Sequence, residues 1–200
     1  MSDAASILDF WFGAMAPDGT PDPAKYRMWF GDGRQWDDEI RSRFGALHAR
    51  AARGDLDGEW ATPPRTRLAL ILLLDQFPRH IHRGTPAAFA QDGRAQSHAL
   101  SLIDAGLDSA LTPIERVFCY LPLEHAEDLA LQERCVALFT TLRDTVAAGQ
   151  RKRYEGFLDY ARRHRDVVAR FGRFPHRNAT LGRVSTPDET EFLRQPGSSF

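Results

Sequence analysis

Apolar positions recur at helical spacing along nearly the whole chain. From Gln35 to Arg53, Ile40, Phe44, Leu47 and Ala51 fall at i, i+4, i+7 and i+11, which is one face of an amphipathic helix. Ser2 or Asp3 can cap an earlier helix whose apolar face carries Ile7, Leu8, Trp11 and Phe12, with Gly13 ending it. Lys25 to Phe30 reads as a short helix broken by Gly31-Asp32-Gly33. Asp92 to Ala105 turns Ala95, Ala99, Leu102 and Ile103 inward and closes at Gly106. Thr112-Pro113 is a helix start, and that helix runs to about Pro122. Two long helices follow. One spans about Glu127 to Ala147, with Leu131, Cys135, Leu138, Phe139 and Leu142 facing in; the other spans about Arg151 to Phe171, with Phe157, Tyr160, Ala161, His164 and Val168 at helical spacing. Pro175 onward is irregular or a short helix, and Thr186-Pro187-Asp188-Glu189 starts a last short one. There is no sustained strand alternation and no hairpin signal. The pattern therefore predicts an all-α fold of antiparallel helix pairs in a single domain, residues 1–200. Ala99 to Gly106 has the spacing of a helical-repeat unit, but no clean 34-residue period supports it.

The most apolar stretch is Arg67 to Arg83, RLALILLLDQFPRHIHR. Its seven consecutive apolar residues, Leu68 to Leu74, are rich in leucine, and Pro63-Pro64 suits a helix start, so the stretch predicts a helix packed on several sides. Pro78 disfavours helix at Phe77, so the helix is expected to end or kink there. Asp75 follows the apolar run and is expected to be at least partly buried, which demands a partner. Arg79 is the nearest one. Two readings stay open: a structural Asp75–Arg79 clasp, or a pocket lined by Asp75, Gln76 and Arg79.

Composition narrows the partners. Lys plus Arg is 26 and Asp plus Glu is 27, so there is no basic excess of the kind nucleic-acid binding usually needs. No apolar stretch reaches the roughly 18 residues of a transmembrane helix. The N-terminus lacks the basic and apolar regions of a signal peptide, so a cytoplasmic location is expected, with no membrane partner. Cys119 and Cys135 have no metal-motif spacing and read as small core residues.

Two further polar segments are embedded in apolar or aromatic context. In Leu121 to Asp128, Glu127 and Asp128 suit the first turn of a new helix. Glu124 and His125 are the candidate catalytic pair there, because a carboxylate and an imidazole at a helix–helix turn can converge on a cleft. In Arg170 to Asn178, Arg173, His176, Arg177 and Asn178 are candidate ligand-binding residues, beside Asp75, Gln76 and Arg79 of the central stretch. Packed arginines either pair with internal carboxylates or wait for an anion, and the planar guanidinium serves both uses. No HExxH, GxSxG, phosphate loop or dinucleotide fingerprint is present, so no metal and no cofactor is expected.

Read together, ILDFWFG at Ile7 to Gly13, LLDQFPR at Leu73 to Arg79, YLPLEHAEDLALQE at Tyr120 to Glu133, RFGRFPHRNATLGR at Arg170 to Arg183, STP at Ser185 to Pro187 and the terminal PGSSF resemble the DUF924 family. The resemblance implies a tetratricopeptide-repeat-like array of helix pairs and no established activity. One departure is Ala126, where the family often has Ser at what is expected to be a helix N-cap. Three functions remain open. The first is binding of a small anionic ligand or peptide carboxylate by Arg79, Arg173, His176 and Arg177, with Glu124 and His125 at the rim. The second is a hydrolase using Glu124 or His125 as base, and the third a protein-interaction scaffold. The oligomeric state is open.

Overall fold

The computed structural model of the chain describes residues 2–198; Ser199 and Phe200, the end of the terminal PGSSF, lie outside the described residues. The protein is all-α. Its α-helices are α1 (Asp3–Phe12), α2 (Pro23–Phe30), α3 (Asp37–Arg53), α4 (Pro64–Ile81), α5 (Asp92–Asp104), α6 (Pro113–Glu124), α7 (Leu129–Thr145), α8 (Arg151–Phe171) and α9 (Pro187–Leu193), with short 3-10 turns between several of them. Among the described residues the only extended pairing is an isolated bridge between Met15 and Pro21. The chain divides into two compact units. Among the described residues the first is 2–83 with 87–122, and the second is 84–86 with 123–198.

In the first unit α4 is the central element. Leu68 to Leu74 are all fully buried, as an all-round apolar helix requires. Its neighbours run antiparallel to it. Asp37 at the start of α3 bonds His80 at the end of α4 and Arg83 just beyond it. Arg79 near the end of α4 bonds Asp92 at the start of α5, and Arg67 near its start bonds Ser101 near the end of α5. Aromatic rings close the other side: Trp11 packs 5.3 Å from Phe77 and 5.6 Å from Phe118, and Phe44 lies 5.1 Å from both Phe10 and Phe77.

Of the two outcomes expected at Pro78, an end or a kink, the helix does not end there: α4 continues to Ile81. The missing proline N–H removes one backbone bond, but the next turn reforms, with the His82 N–H donating to the Pro78 carbonyl at 2.9 Å. The Arg79 guanidinium also donates to the Asp75 carbonyl one turn back. Tertiary burial of this stretch outweighs the local preference of the proline.

In the second unit α7 and α8 form a helical hairpin. Arg143 at the end of α7 bonds Glu155 at the start of α8 at 2.7 Å. The fully buried Gln132 amide of α7 donates to the carbonyls of Glu124 at 2.6 Å and Ala126 at 2.7 Å, satisfying groups at the frayed end of α6. The N-cap of α7 is Asp128, whose side chain accepts from the Leu131 N–H at 3.0 Å. Ala126 is therefore not the cap, and Glu127 lies before the helix rather than in its first turn. A capping box, with Thr186 and Glu189 bonded reciprocally, starts α9.

Candidate functional site

Each unit holds buried polar residues among those the sequence singled out. In the first, Asp75 is fully buried and accepts from the Gln76 side-chain amide. Arg79 approaches Asp75 at 3.5 Å and holds Asp92 through both guanidinium branches, at 3.1 and 3.2 Å. Burial works against the Arg79 charge, yet Asp75 and Asp92 outweigh it and raise its pKa. The geometry is that of the clasp, with a second carboxylate, Asp92, that nothing in the local sequence pairs with Arg79.

In the second unit the segment after α8 is pinned by ion pairs. Arg173 presents its fork to Glu189, with Nε at 2.6 Å and Nη2 at 2.8 Å, and that bond holds the Glu189 carboxyl down at a pKa of about 2. Arg183 does the same to Glu127 at 2.6 and 2.9 Å, and Glu127 also accepts the Phe174 N–H at 2.8 Å. Burial opposes ionisation of Glu127, but these bonds prevail and its pKa falls. Asn178 is 1% exposed and bridges the two pairs: its Nδ2 reaches Glu189 at 3.3 Å and its Oδ1 accepts from Arg183 at 2.9 Å. Arg173 and Asn178 thus take part in the ion-pair network of this segment.

Within that frame sits a different group: Glu124, His125, His164, Phe174, His176 and Arg177. Arg177 lies in the 3-10 turn Pro175–Arg177, is only 7% exposed, and stacks its guanidinium 4.7 Å from the Phe174 ring centre. His164 meets the same ring edge-on at 5.5 Å, and His176 lies 5.6 Å from it. His125 is 6.5 Å from His164. Both inner imidazoles are neutral at ordinary pH. Burial, reinforced by the charge of Arg177, lowers His164 to a pKa of about 3 and His176 to about 4.

His164 Nδ1 lies 2.9 Å from the Tyr160 carbonyl and 3.5 Å from the Glu124 carboxylate. A carbonyl only accepts, so Nδ1 carries the proton and Nε2 keeps its lone pair. Among the described residues no group of three or more His, Cys, Asp or Glu side chains is placed to hold a metal ion.

The family described as "Bacterial protein of unknown function (DUF924)" matches residues 7–197. The chain belongs to the DUF924 family. It is similar to a solved structure of a protein of unknown function from Agrobacterium tumefaciens, 42% identical with a TM-score of 0.78, over 95% of this chain and 96% of that one. No curated protein matches it. In this DUF924 chain the sequence motifs therefore resolve into two places. Asp75, Gln76 and Arg79 belong to the first unit, and Glu124, His125, Arg173, His176, Arg177 and Asn178 to the second. His164 was missed as a site residue because it reads as one more position on the inner face of α8. Its polarity on that otherwise apolar face was the available signal. No helix among the described residues is long and apolar enough to cross a membrane.

Proposed function

We propose that this protein binds a small anionic ligand or a peptide carboxylate at the Arg177 cluster of its second unit. The observation that carries the reading is a nearly buried guanidinium stacked on Phe174 and flanked by two imidazoles held neutral. An arginine fork matches a carboxylate or phosphate, and neutral imidazoles add hydrogen-bonding groups without adding charge that would have to be desolvated. The pairs Arg173–Glu189 and Arg183–Glu127 supply rigidity, which lowers the ordering cost of binding. In this reading Arg79 and Arg173, with Asp75, Gln76 and Asn178, are framework.

A thermal-shift series with inorganic phosphate, citrate, succinate, acetate and a short peptide with a free C-terminus tests it. One of these classes is expected to raise the melting temperature of the natural protein and to leave that of Arg177→Lys unchanged, because lysine keeps the charge but loses the fork. Equal shifts in both proteins, or none with any anion, contradict the reading.

The approach of Glu124 to His164 favours a second reading, a hydrolase. There His164 Nε2, neutral and fixed in its tautomer, is the base, Glu124 orients the ring, and Arg177 stabilises a developing anion. This moves the imidazole from His125 to His164. Turnover in a screen of esters and amides should then disappear in His164→Gln; turnover indifferent to that change rules the reading out.

A further inference from the structure

His48 and His82 meet in the first unit, where His82 follows Arg79 by three residues at the end of α4, and they are not among the residues of the proposed anion site. His48 projects from α3 among the apolar positions Phe44 and Ala51 and is 7% exposed. His82 is the C-cap of α4. Their Nε2 atoms are 3.2 Å apart, and their ring centres are 5.2 Å apart at an interplanar angle of 57°. His48 Nδ1 lies 2.9 Å from the Leu73 carbonyl. That carbonyl can only accept, so the His48 proton sits on Nδ1 and its Nε2 presents a lone pair toward His82. In the neutral pair His82 Nε2–H donates to it.

We propose that His48 and His82 form a two-nitrogen site for a divalent late transition-metal ion, of which zinc is the type. Three features point there. A ring nitrogen held by a backbone carbonyl is the usual orienting bond of a metal-ligating histidine, because it fixes the tautomer and directs the other nitrogen at the ion. The 3.2 Å separation matches the edge of a coordination tetrahedron, about 3.3 Å for metal–nitrogen bonds of about 2.0 Å. Two imidazole nitrogens select borderline ions over magnesium or calcium, which need oxygen ligands. Binding replaces the shared proton. His82 moves its proton from Nε2 to Nδ1, a neutral tautomer exchange with no net proton released, and both Nε2 lone pairs then turn to the ion. Among the described residues no third His, Cys, Asp or Glu completes the set, so solvent or a small ligand fills the remaining positions and the ion exchanges readily.

The test is isothermal titration of the chelator-stripped full chain with zinc chloride, with magnesium chloride as control. Natural protein is expected to bind one zinc and no magnesium. His82→Gln, a change at a half-buried helix end, is expected to weaken zinc binding at least about tenfold while the far-ultraviolet circular dichroism stays the same, the loss of one of two nitrogen ligands. Imidazole proton resonances give a second readout: of the seven histidines, those of His48 and His82 should shift with zinc and the other five should not. Absence of zinc binding, affinity unchanged in His82→Gln, or shifts confined to other histidines overturns the site and leaves the pair as a hydrogen bond.

Discussion

Arg173 and Arg177 stand four residues apart and have different surroundings. Arg173 gives its fork to Glu189, and Arg177 is sunk beside an aromatic ring that two neutral imidazoles also meet. Local sequence offered no way to separate them, since both lie in one segment that holds phenylalanines and a proline and no carboxylate; Glu189 comes to Arg173 from α9, and His164 comes to the Phe174 ring beside Arg177 from α8. The imidazoles also set an acid response. Their folded pKa values lie below the ordinary 6.5, so the unfolded chain takes up protons first as pH falls. Their neutral burial is fully tolerated above about pH 6.5, and stability is lost from there down toward about 4 and about 3. Glu189, lowered from 4.5 to about 2, adds a second loss as pH falls through that lower window. Urea midpoints are therefore expected to drop between pH 7 and 5, and His164→Phe should flatten part of that slope; a flat profile for the natural protein would contradict the burial of the imidazoles. In the first unit, Asp75→Ala removes a carboxylate that is fully buried beside Arg79. Breaking a buried pair costs about 3 kcal/mol, moderated here because Asp92 stays bonded to Arg79, and urea denaturation measures it.

At the scale of elements, helix existence was legible because apolar periodicity and caps agree, as in α8, which spans Arg151–Phe171 as the pattern indicates. Boundaries were less so, and for definite reasons. Pro78 was expected to end or kink the helix, but the helix continues to Ile81 because burial of this stretch outweighs the one lost backbone bond. Ala126 was read as the N-cap of α7, whereas Asp128 caps it and Gln132 closes the preceding turn. Asp128→Ala should accordingly lower stability by about 1 kcal/mol, while Ala126→Ser should bring no comparable gain. Thermal denaturation of the two single variants separates these assignments. Leu72→Ala, in the fully buried run of α4, should cost about 3 kcal/mol through lost transfer and a residual cavity.

At the scale of the whole molecule, the motifs that identify the DUF924 family were visible in the sequence, and the family match spans residues 7–197. The all-α class was visible too, because no stretch alternates at the strand period. What the sequence could not sort was which polar motifs share a compact unit: LLDQFPR builds a clasp in the first unit, and LEHAED and RFPHRN build a second cluster together. Long-range pairings such as Glu127 to Arg183 carry no local signature. The near balance of charge, 26 basic against 27 acidic residues, is realised partly as such internal pairs. In the proposed function Arg177 is a binding group and not another brace. Calorimetric titration of the natural protein and of Arg177→Lys with the anion that gives the largest thermal shift tests this most directly. The expected result is one site per chain, weakened tenfold or more in the variant, a difference of about 1.4 kcal/mol or greater, with the fold retained. Equal affinity in both proteins, or collapse of the Arg177→Lys fold in the absence of any ligand, would instead make Arg177 part of the structural network.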